Sequence, residues 1–330
     1  MKKKLLLSSV FLSVAMVSAP CSAMEGDNFI TTVQGLTGLT LVPEKFTSAL
    51  DGYTLPPFPL GEKNRNHFDD RSEGSFTPIK SLVMHYTVCN TPATLNLFTK
   101  DIPDNRVSAS YVITEAESHD DKKIPGGKVI KMAPDDKRTW HAGVSKWREI
   151  TNLNGTSLGI ESVNKGFTDP SGQERVWYPF DQDQIHSLGL LSQAIVKKYN
   201  ISPTYVVGHA DIAPDRKQDP GILFPWDKLY STYGVGAWLS KEEQDTSAIT
   251  YFSPKEPLPQ NVSSEFLSTY LKQYGYNIEP TSKPTEQFLN VLKAFKSHFS
   301  CNQQPEKYNS EPDENDMLWI WGLNAKYKTL

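Results

Sequence analysis

Three short apolar runs in this 330-residue chain end on or beside a titratable side chain. LVMHYT delivers His85, SLGIES delivers Glu161 and TYVVGHAD delivers His209. Beyond His209 the irregular, Pro-bearing stretch ADIAPDRKQDPG returns Lys217 and Asp219, and Asp219 lies close enough in sequence to fold back on the same strand end. Two imidazoles and one carboxylate make a three-ligand zinc set that leaves a fourth position for water. Such an ion acidifies the water and polarises a carbonyl. A neighbouring carboxylate can relay the proton to a leaving amine, and a lysine can face the oxyanion. With His85, His209 and Asp219 as ligands, Glu161 as general base and acid, and Lys217 on the oxyanion, the chemistry is metal-assisted amide hydrolysis. Taken singly, each residue also fits a plainer role: a hydrogen-bonded histidine, a salt-bridged glutamate, a solvated loop lysine. Two histidines and a carboxylate also make the facial triad of iron oxygenases. Those enzymes usually place the carboxylate two residues after the first histidine, where this chain has Thr87.

The elements that must position these residues are legible around them. The runs LVMHYT, SASYVI, SLGIES and TYVVGHAD are short, β-branched and bounded by polar or turn residues, which predicts buried strands. Between the last two, Ile185, Leu188, Leu191 and Ile195 recur at helical spacing behind Asp181, a good N-cap. Strands alternating with such a helix predict an α/β layer with a mixed, partly parallel sheet, whose C-terminal strand edge is the usual place for a site. Around residues 241–261 the composition turns to Ser, Pro, Glu and Gln, a linker signal. Three amphipathic stretches follow over 262–330, carried by Phe266, Tyr270, Leu271 and Tyr274, by Phe288, Leu292, Phe295 and Phe299, and by Met317, Leu318, Ile320 and Trp321. They predict a three-helix bundle with its own core.

The N-terminus reads as an address. Lys2, Lys3 and Lys4 precede an apolar run from Leu5 to Val17, and Cys21, Ser22 and Ala23 follow. That is the pattern of a signal peptide over 1–23 cleaved after Ala23, and the run is shorter than the ~20 residues a membrane span needs. Pro20 before Cys21 departs from the usual approach to a lipidated cysteine. Residues 24–64 read as an extended lead-in and 65–240 as the catalytic domain. The chain carries 34 Lys and Arg against 38 Asp and Glu, and losing three lysines with the leader takes the net charge from −4 to −7. A mildly acidic chain without a basic run is a poor nucleic-acid binder. Cys89 and Cys301 would remain after export, either as one disulfide or as two free thiols.

The strings VMHYT, RVSASYVI, TWHAGVSKWREITNLNGTSLGIESVN and VVGHADIAPDRKQDPGILFPW resemble the type-2 N-acetylmuramoyl-L-alanine amidases, a family related to peptidoglycan-recognition proteins and a phage lysozyme. The likeness is greatest to its AmiD-type bacterial branch and covers about residues 65–240. It implies a mixed sheet flanked by helices, and cleavage of the amide between N-acetylmuramic acid and L-alanine in peptidoglycan. It also implies one zinc on His85, His209 and Asp219, with Glu161 catalytic and Lys217 in the family's lysine position. His141 in TWHAG either touches the substrate or packs beside the zinc, and Trp140 and Tyr111 are further candidate substrate contacts. Trp147, Trp177 and Trp226 fit a glycan groove or, for at least two of them, the core. His67, His119, His186 and His298 are read as structural or solvated. The C-terminal segment resembles a peptidoglycan-binding three-helix module, so its removal is expected to weaken sacculus binding more than cleavage of soluble muropeptides. Partners are peptidoglycan and muropeptides, acted on by a monomer in the periplasm, at the outer membrane or outside the cell. A non-catalytic recognition protein on the same fold is the alternative. Some relatives use cysteine as third ligand where this chain has Asp219, and the stretch 24–64 has no assignable counterpart.

Overall fold

The computed structural model describes residues 67–71, 78–99, 106–119, 122–245 and 258–327, together with three two-residue strands between 41 and 54. The signal peptide, most of the lead-in and the centre of the linker lie outside the described residues.

Six strands form the central sheet: β1 (Leu41–Val42), β3 (Ser81–Tyr86), β4 (Tyr111–Ile113), β5 (Val129–Lys131), β7 (Ser157–Ser162) and β8 (Val206–Gly208). β2 (Phe68–Asp70) and β6 (Lys137–Thr139) pair separately as an antiparallel ribbon. The sheet order is β1-β5-β4-β7-β3-β8. β4, β7, β3 and β8 run parallel, whereas β5 is antiparallel to β4 and β1 follows β5. The mixed sheet flanked by helices expected from the sequence is the observed architecture, and its four legible runs became its four parallel strands.

Strand periodicity sorts the sheet into two faces. Tyr111, Ile113 and Val129 join the large core with Leu188, Leu191 and Ile195 of α2 (Gln182–Tyr199). Val112 and Ile130 turn to the other face, under Leu95 and Phe98 of α1 (Thr91–Thr99). α2 starts where the sequence placed it, with the Asp181 carboxylate accepting from the Gln184 amide. α1 was not foreseen. Its apolar residues are spaced too sparsely to announce a helix.

After α3 (Trp226–Tyr233) come the three C-terminal helices, α4 (Ser264–Tyr274), α5 (Glu286–His298) and α6 (Glu314–Tyr327). Ser263 and Thr285 cap α4 and α5 through their hydroxyls, and Gly275 ends α4 as expected. These helices do not close a core of their own. Leu267, Phe288, Phe295 and Ile320 belong to the same continuous apolar cluster as Leu229, Trp238 and Leu239 of the preceding layer. Trp147 packs edge-on against Tyr274 and Tyr276, with ring centroids 6.0 and 4.9 Å away. Trp226 stacks on His298 at 3.7 Å. Trp147 and Trp226 are therefore core residues, and Trp177 is half-buried. Cys89 and Cys301 are both free thiols, the latter buried. Among the described residues no helix is long and apolar enough to cross a membrane.

Candidate active site

β7 and β3 lie side by side in parallel register, with Glu161 opposite His85 and Gly159 opposite Val83. Since alternate residues share a face, Ser157, Gly159 and Glu161 project to the same side as His85, toward α1. Each position on that row has a separate task. Glu161 lies at the C-terminal edge next to His85. Gly159 leaves room for the His141 ring, because a Cβ there would stand 2.5 Å from the ring's Cγ. Ser157 offers its hydroxyl to the far side of that ring. β8 ends at Gly208, and the chain turns into a short helical segment, His209–Ile212, that begins with the second histidine. Asp219 returns from the loop, anchored by its carbonyl accepting from the Ala210 amide at 2.8 Å. The Pro220 ring then packs where a Gly208 Cβ would stand.

Three atoms converge as a result. His85 Nδ1, His209 Nδ1 and Asp219 Oδ2 form a triangle with edges of 3.0, 2.9 and 3.0 Å. Hydrogen-bond bookkeeping shows which of them carry protons. The Ser157 hydroxyl donates its one hydrogen to the Leu153 carbonyl at 2.6 Å. It must therefore accept from His141 Nε2, 3.1 Å away. Burial, reinforced by the neighbouring imidazoles, holds His141 neutral far below the ordinary histidine range, so its Nδ1 accepts from His85 Nε2 at 3.0 Å. His85 Nδ1 is left with a bare lone pair. His209 Nε2 lies 3.1 Å from the Ala142 carbonyl, which can only accept, so in the neutral ring His209 Nδ1 is bare as well. Burial pushes His85 down to about 4. When either imidazole is protonated, its charge and hydrogen bond hold the Asp219 carboxylate well below its usual range despite burial. Three lone pairs thus face one another with no proton between them, an arrangement that a cation resolves. Two imidazoles and a carboxylate are a donor set able to hold a metal ion, and among the described residues this is the one group of its kind.

Glu161 is buried, and among the described residues its Oε2 has no hydrogen-bond partner. Burial first and the Asp219 charge second push it up to about 8, while the Lys217 charge pulls it back. Lys217 sits on the loop between the two later ligands, half-buried, its amide bonded to the Ala213 carbonyl. His85, His209 and Asp219 thus converge, Glu161 lies opposite His85 on the neighbouring strand, and Lys217 is carried on the loop between His209 and Asp219.

The three expected substrate contacts fare differently. Tyr111 is 1% exposed and on the opposite face of the sheet, since Val112 rather than Tyr111 is in register with Glu161. Its hydroxyl donates to Asp135 at 2.6 Å, which corrects the expectation that it touches substrate. His141 is 5% exposed and packs behind His85, its Nδ1 3.0 Å from His85 Nε2. Trp140 is half-buried and already engaged by the guanidinium groups of Arg106 and Arg138, 4.2 and 4.3 Å from its ring centre.

Sequence reasoning missed a clamp on the His209 segment. The buried Asp211 carboxylate accepts from the Gly208 amide at 2.7 Å, from Tyr276 Oη at 2.6 Å and from His298 Nδ1 at 2.6 Å. His298, read as structural or solvated, lies flat between Trp226 and Phe299. Two of these three donors come from the C-terminal helices and the loop after α4, at sequence separations of 65 and 87. No local signal could have disclosed that contact.

The sequence pattern of the family described as N-acetylmuramoyl-L-alanine amidase matches residues 75–222. The N-acetylmuramoyl-L-alanine amidase AmiD of Escherichia coli is 35% identical over 268 residues, which cover 81% of this chain and 90% of AmiD. The 1,6-anhydro-N-acetylmuramyl-L-alanine amidase AmpD of Enterobacter cloacae is 34% identical over 105 residues, 32% of this chain and 51% of that one. Among solved structures, E. coli AmiD in complex with anhydro-N-acetylmuramic acid-L-Ala-D-γ-Glu-L-Lys superposes with a TM-score of 0.62 at 33% identity, covering 78% of this chain and 93% of AmiD. AmpDh3 of Pseudomonas aeruginosa gives the same TM-score at 30% identity, covering 78% and 95%. A mixed sheet flanked by helices, a donor triangle able to hold a metal ion and these likenesses together define the class: the chain belongs to the N-acetylmuramoyl-L-alanine amidase family. Within that family its likeness to AmiD extends past the catalytic layer into the C-terminal helices.

Proposed function

We propose that the protein is a zinc-dependent amidase that hydrolyses the bond between N-acetylmuramic acid and the L-alanine of the peptidoglycan stem peptide. The observation that carries this reading is the triangle of His85 Nδ1, His209 Nδ1 and Asp219 Oδ2 beside an unpartnered Glu161 oxygen. A zinc ion on that triangle would supply an acidified water and a polarised scissile carbonyl. Glu161 takes the proton of the attacking water and passes it to the L-alanine nitrogen as the C–N bond breaks. The products are the muramic acid carboxylate and a free peptide amine. Lys217 faces the oxyanion that develops during attack. His141, Ser157 and the Ala142 carbonyl keep both imidazoles in the tautomer the ion needs.

The stem peptide is the other half of the reading. In the AmiD complex the ligand carries a γ-linked D-Glu, whose α-carboxylate is free. We take a peptide of that kind as the substrate class here, reached after export through a leader cleaved behind Ala23. An intact mass beginning at Met24 checks the cleavage, and an acyl chain on Cys21 would refute it. Mass spectrometry of products from a defined muropeptide checks the bond, because amidase action frees a peptide beginning with L-alanine. Glu161→Ala should retain zinc and lose hydrolysis, whereas His209→Ala should lose both. Muropeptide cleavage by the Glu161 variant would sink the assignment. A binder that never cuts would have no use for a buried carboxylate with an idle oxygen next to the ligand set.

A further inference from the structure

Both proposed histidine ligands rest on one short helical turn, Leu153–Gly155, which leads into β7. Its Leu153 carbonyl accepts the Ser157 hydroxyl hydrogen at 2.6 Å, the bond that obliges Ser157 to accept from His141 behind His85. The Asn154 side-chain oxygen accepts from the Ala142 amide at 2.7 Å, and the Ala142 carbonyl is the group that faces His209 Nε2. A displacement of the turn therefore reaches His85 by one path and His209 by the other. A single turn of this kind is too short to hold its own position.

What holds it is a buried arginine. Arg71 directly follows β2 and lies ahead of the stretch 75–222 that carries the family pattern. It is 7% exposed. Its Nε donates to the Asp135 carbonyl at 2.9 Å. Its Nη1 donates to the Gly155 carbonyl at 3.1 Å and lies 3.5 Å from that of Asn154. Asp135 stands just before β6, whose last residue, Thr139, is followed by Trp140, His141 and Ala142. The guanidinium thus ties the approach to β6, which delivers His141 and Ala142, to the approach to β7, which delivers Ser157 and Glu161. Burial pulls it down to about 10, against the opposing Asp135 charge, so it stays charged at neutral pH. A buried cation is costly unless its hydrogen bonds are made. The planar fork of an arginine makes them to two segments at once, in directions that a lysine on its flexible stem does not fix.

We infer that Arg71 is a positioning residue for the metal centre: by pinning the Leu153–Gly155 turn to the start of β6, it aims His85 and His209 together. The inference rests on the zinc reading of the site and extends it to a residue outside the stretch that matches the family pattern.

The test is the zinc affinity of the full chain, measured against a competing chelator, together with the histidine ring resonances of the zinc-free protein. Arg71→Met fills the space and removes the contacts to all three carbonyls. It should raise the zinc dissociation constant about tenfold, the lower end of what partners behind a ligand contribute. The rings of His85, His141 and His209 should shift together. Ile195→Val, a core truncation in α2, destabilises the fold by another route. Its zinc constant should stay within about twofold of wild type, with the ring resonances in place. Should Arg71→Met fail to fold, Arg71→Lys decides the question: it keeps the cation, loses the fork and should raise the constant about threefold. An unchanged constant in the folded Arg71 variant, a rise that disturbs the ring of only one ligand, or an equal rise in Ile195→Val overturns the inference alone. Wild-type protein that binds no zinc overturns the metal reading and the inference with it.

Discussion

Removing the C-terminal helices should destabilise the catalytic layer rather than release a tethered binding module. The perturbation is a chain ending at residue 245. Four large apolar side chains of the remaining layer would lose their cover: Trp147 from Tyr274 and Tyr276, Trp226 from His298, Trp238 from Phe299 and Trp319, and Leu239 from the approach of Gly322. Full exposure of a large apolar side chain costs about 1.5–3 kcal/mol, so exposing roughly half of each of the four costs about 3–6 kcal/mol. Asp211 would also lose its Tyr276 and His298 donors, but water reaching the carboxylate offsets most of that, and we assign it nothing. At roughly 2–4 °C per kcal/mol for a body of this size, the melting temperature should fall by about 6–24 °C. Scanning calorimetry of the full and shortened chains measures this. Cleavage of a soluble muropeptide at 37 °C should fall with it, contrary to the selective loss of sacculus binding that a separate module predicts. A shortened chain melting within about 3 °C of the parent, with unchanged kcat/KM on the soluble substrate, would refute the argument from a shared core.

Three further outcomes follow from the support behind the ligands. Ser157→Ala frees the His141 tautomer, and zinc affinity measured against a competing chelator should fall about 10- to 100-fold; an unchanged constant would dismiss the proton bookkeeping. Gly159→Ala sets a methyl 2.5 Å from His141 Cγ, so it should cost about 1–3 kcal/mol in urea unfolding and loosen zinc as well; full stability would mean that the ring yields freely. In zinc-free protein, buried His85 and His141 refuse protons that the unfolded chain accepts near its ordinary histidine value of about 6.5. Their stabilisation is complete above that value and is lost as pH falls toward about 4. His141→Asn should remove up to about 1.4 kcal/mol per pH unit of the slope in urea midpoints between pH 6.5 and 4.5, and equal slopes would contradict it.

What the sequence disclosed and what it withheld divide along a physical line. His85, Glu161 and His209 were visible because each interrupts an apolar, β-branched run, and an ionisable group at the end of a buried strand needs a reason to be there. Lys217 and Asp219 were visible only by proximity to His209, since a loop has no periodicity to violate. Tyr111 was misplaced by one residue of register. A neighbouring strand read without its pairing offers two faces, and the sheet turned Val112 rather than Tyr111 toward the site. The Gly159 and Ser157 tasks are written in the strand at i−2 and i−4 from Glu161, but only the His141 ring, eighteen residues from Gly159, gives them meaning. The Asp211 clamp depends on partners 65 and 87 residues away, beyond any local pattern.

That clamp also changes how the C-terminal helices bear on catalysis. The His209 segment is only four residues long, too short to hold its own direction as a helix. Its direction is instead fixed at one end by the Gly208 amide and at the side by Tyr276 and His298, all three converging on Asp211. His209 therefore inherits its aim from residues that belong to the C-terminal unit. His85 takes its aim from the sheet through His141 and Ser157, and Asp219 takes its own from the Ala210 amide inside that clamped segment. Two of the three proposed ligands thus depend on the docked helices and one on the sheet. Tyr276→Phe, which removes one donor and leaves the ring packed, should weaken zinc binding while sparing the His85 side. In the zinc-free variant, the histidine ring resonances of His209 should shift and broaden and those of His85 and His141 should stay in place. Equal disturbance of all three rings would show that the sheet and the helices do not aim the ligands separately.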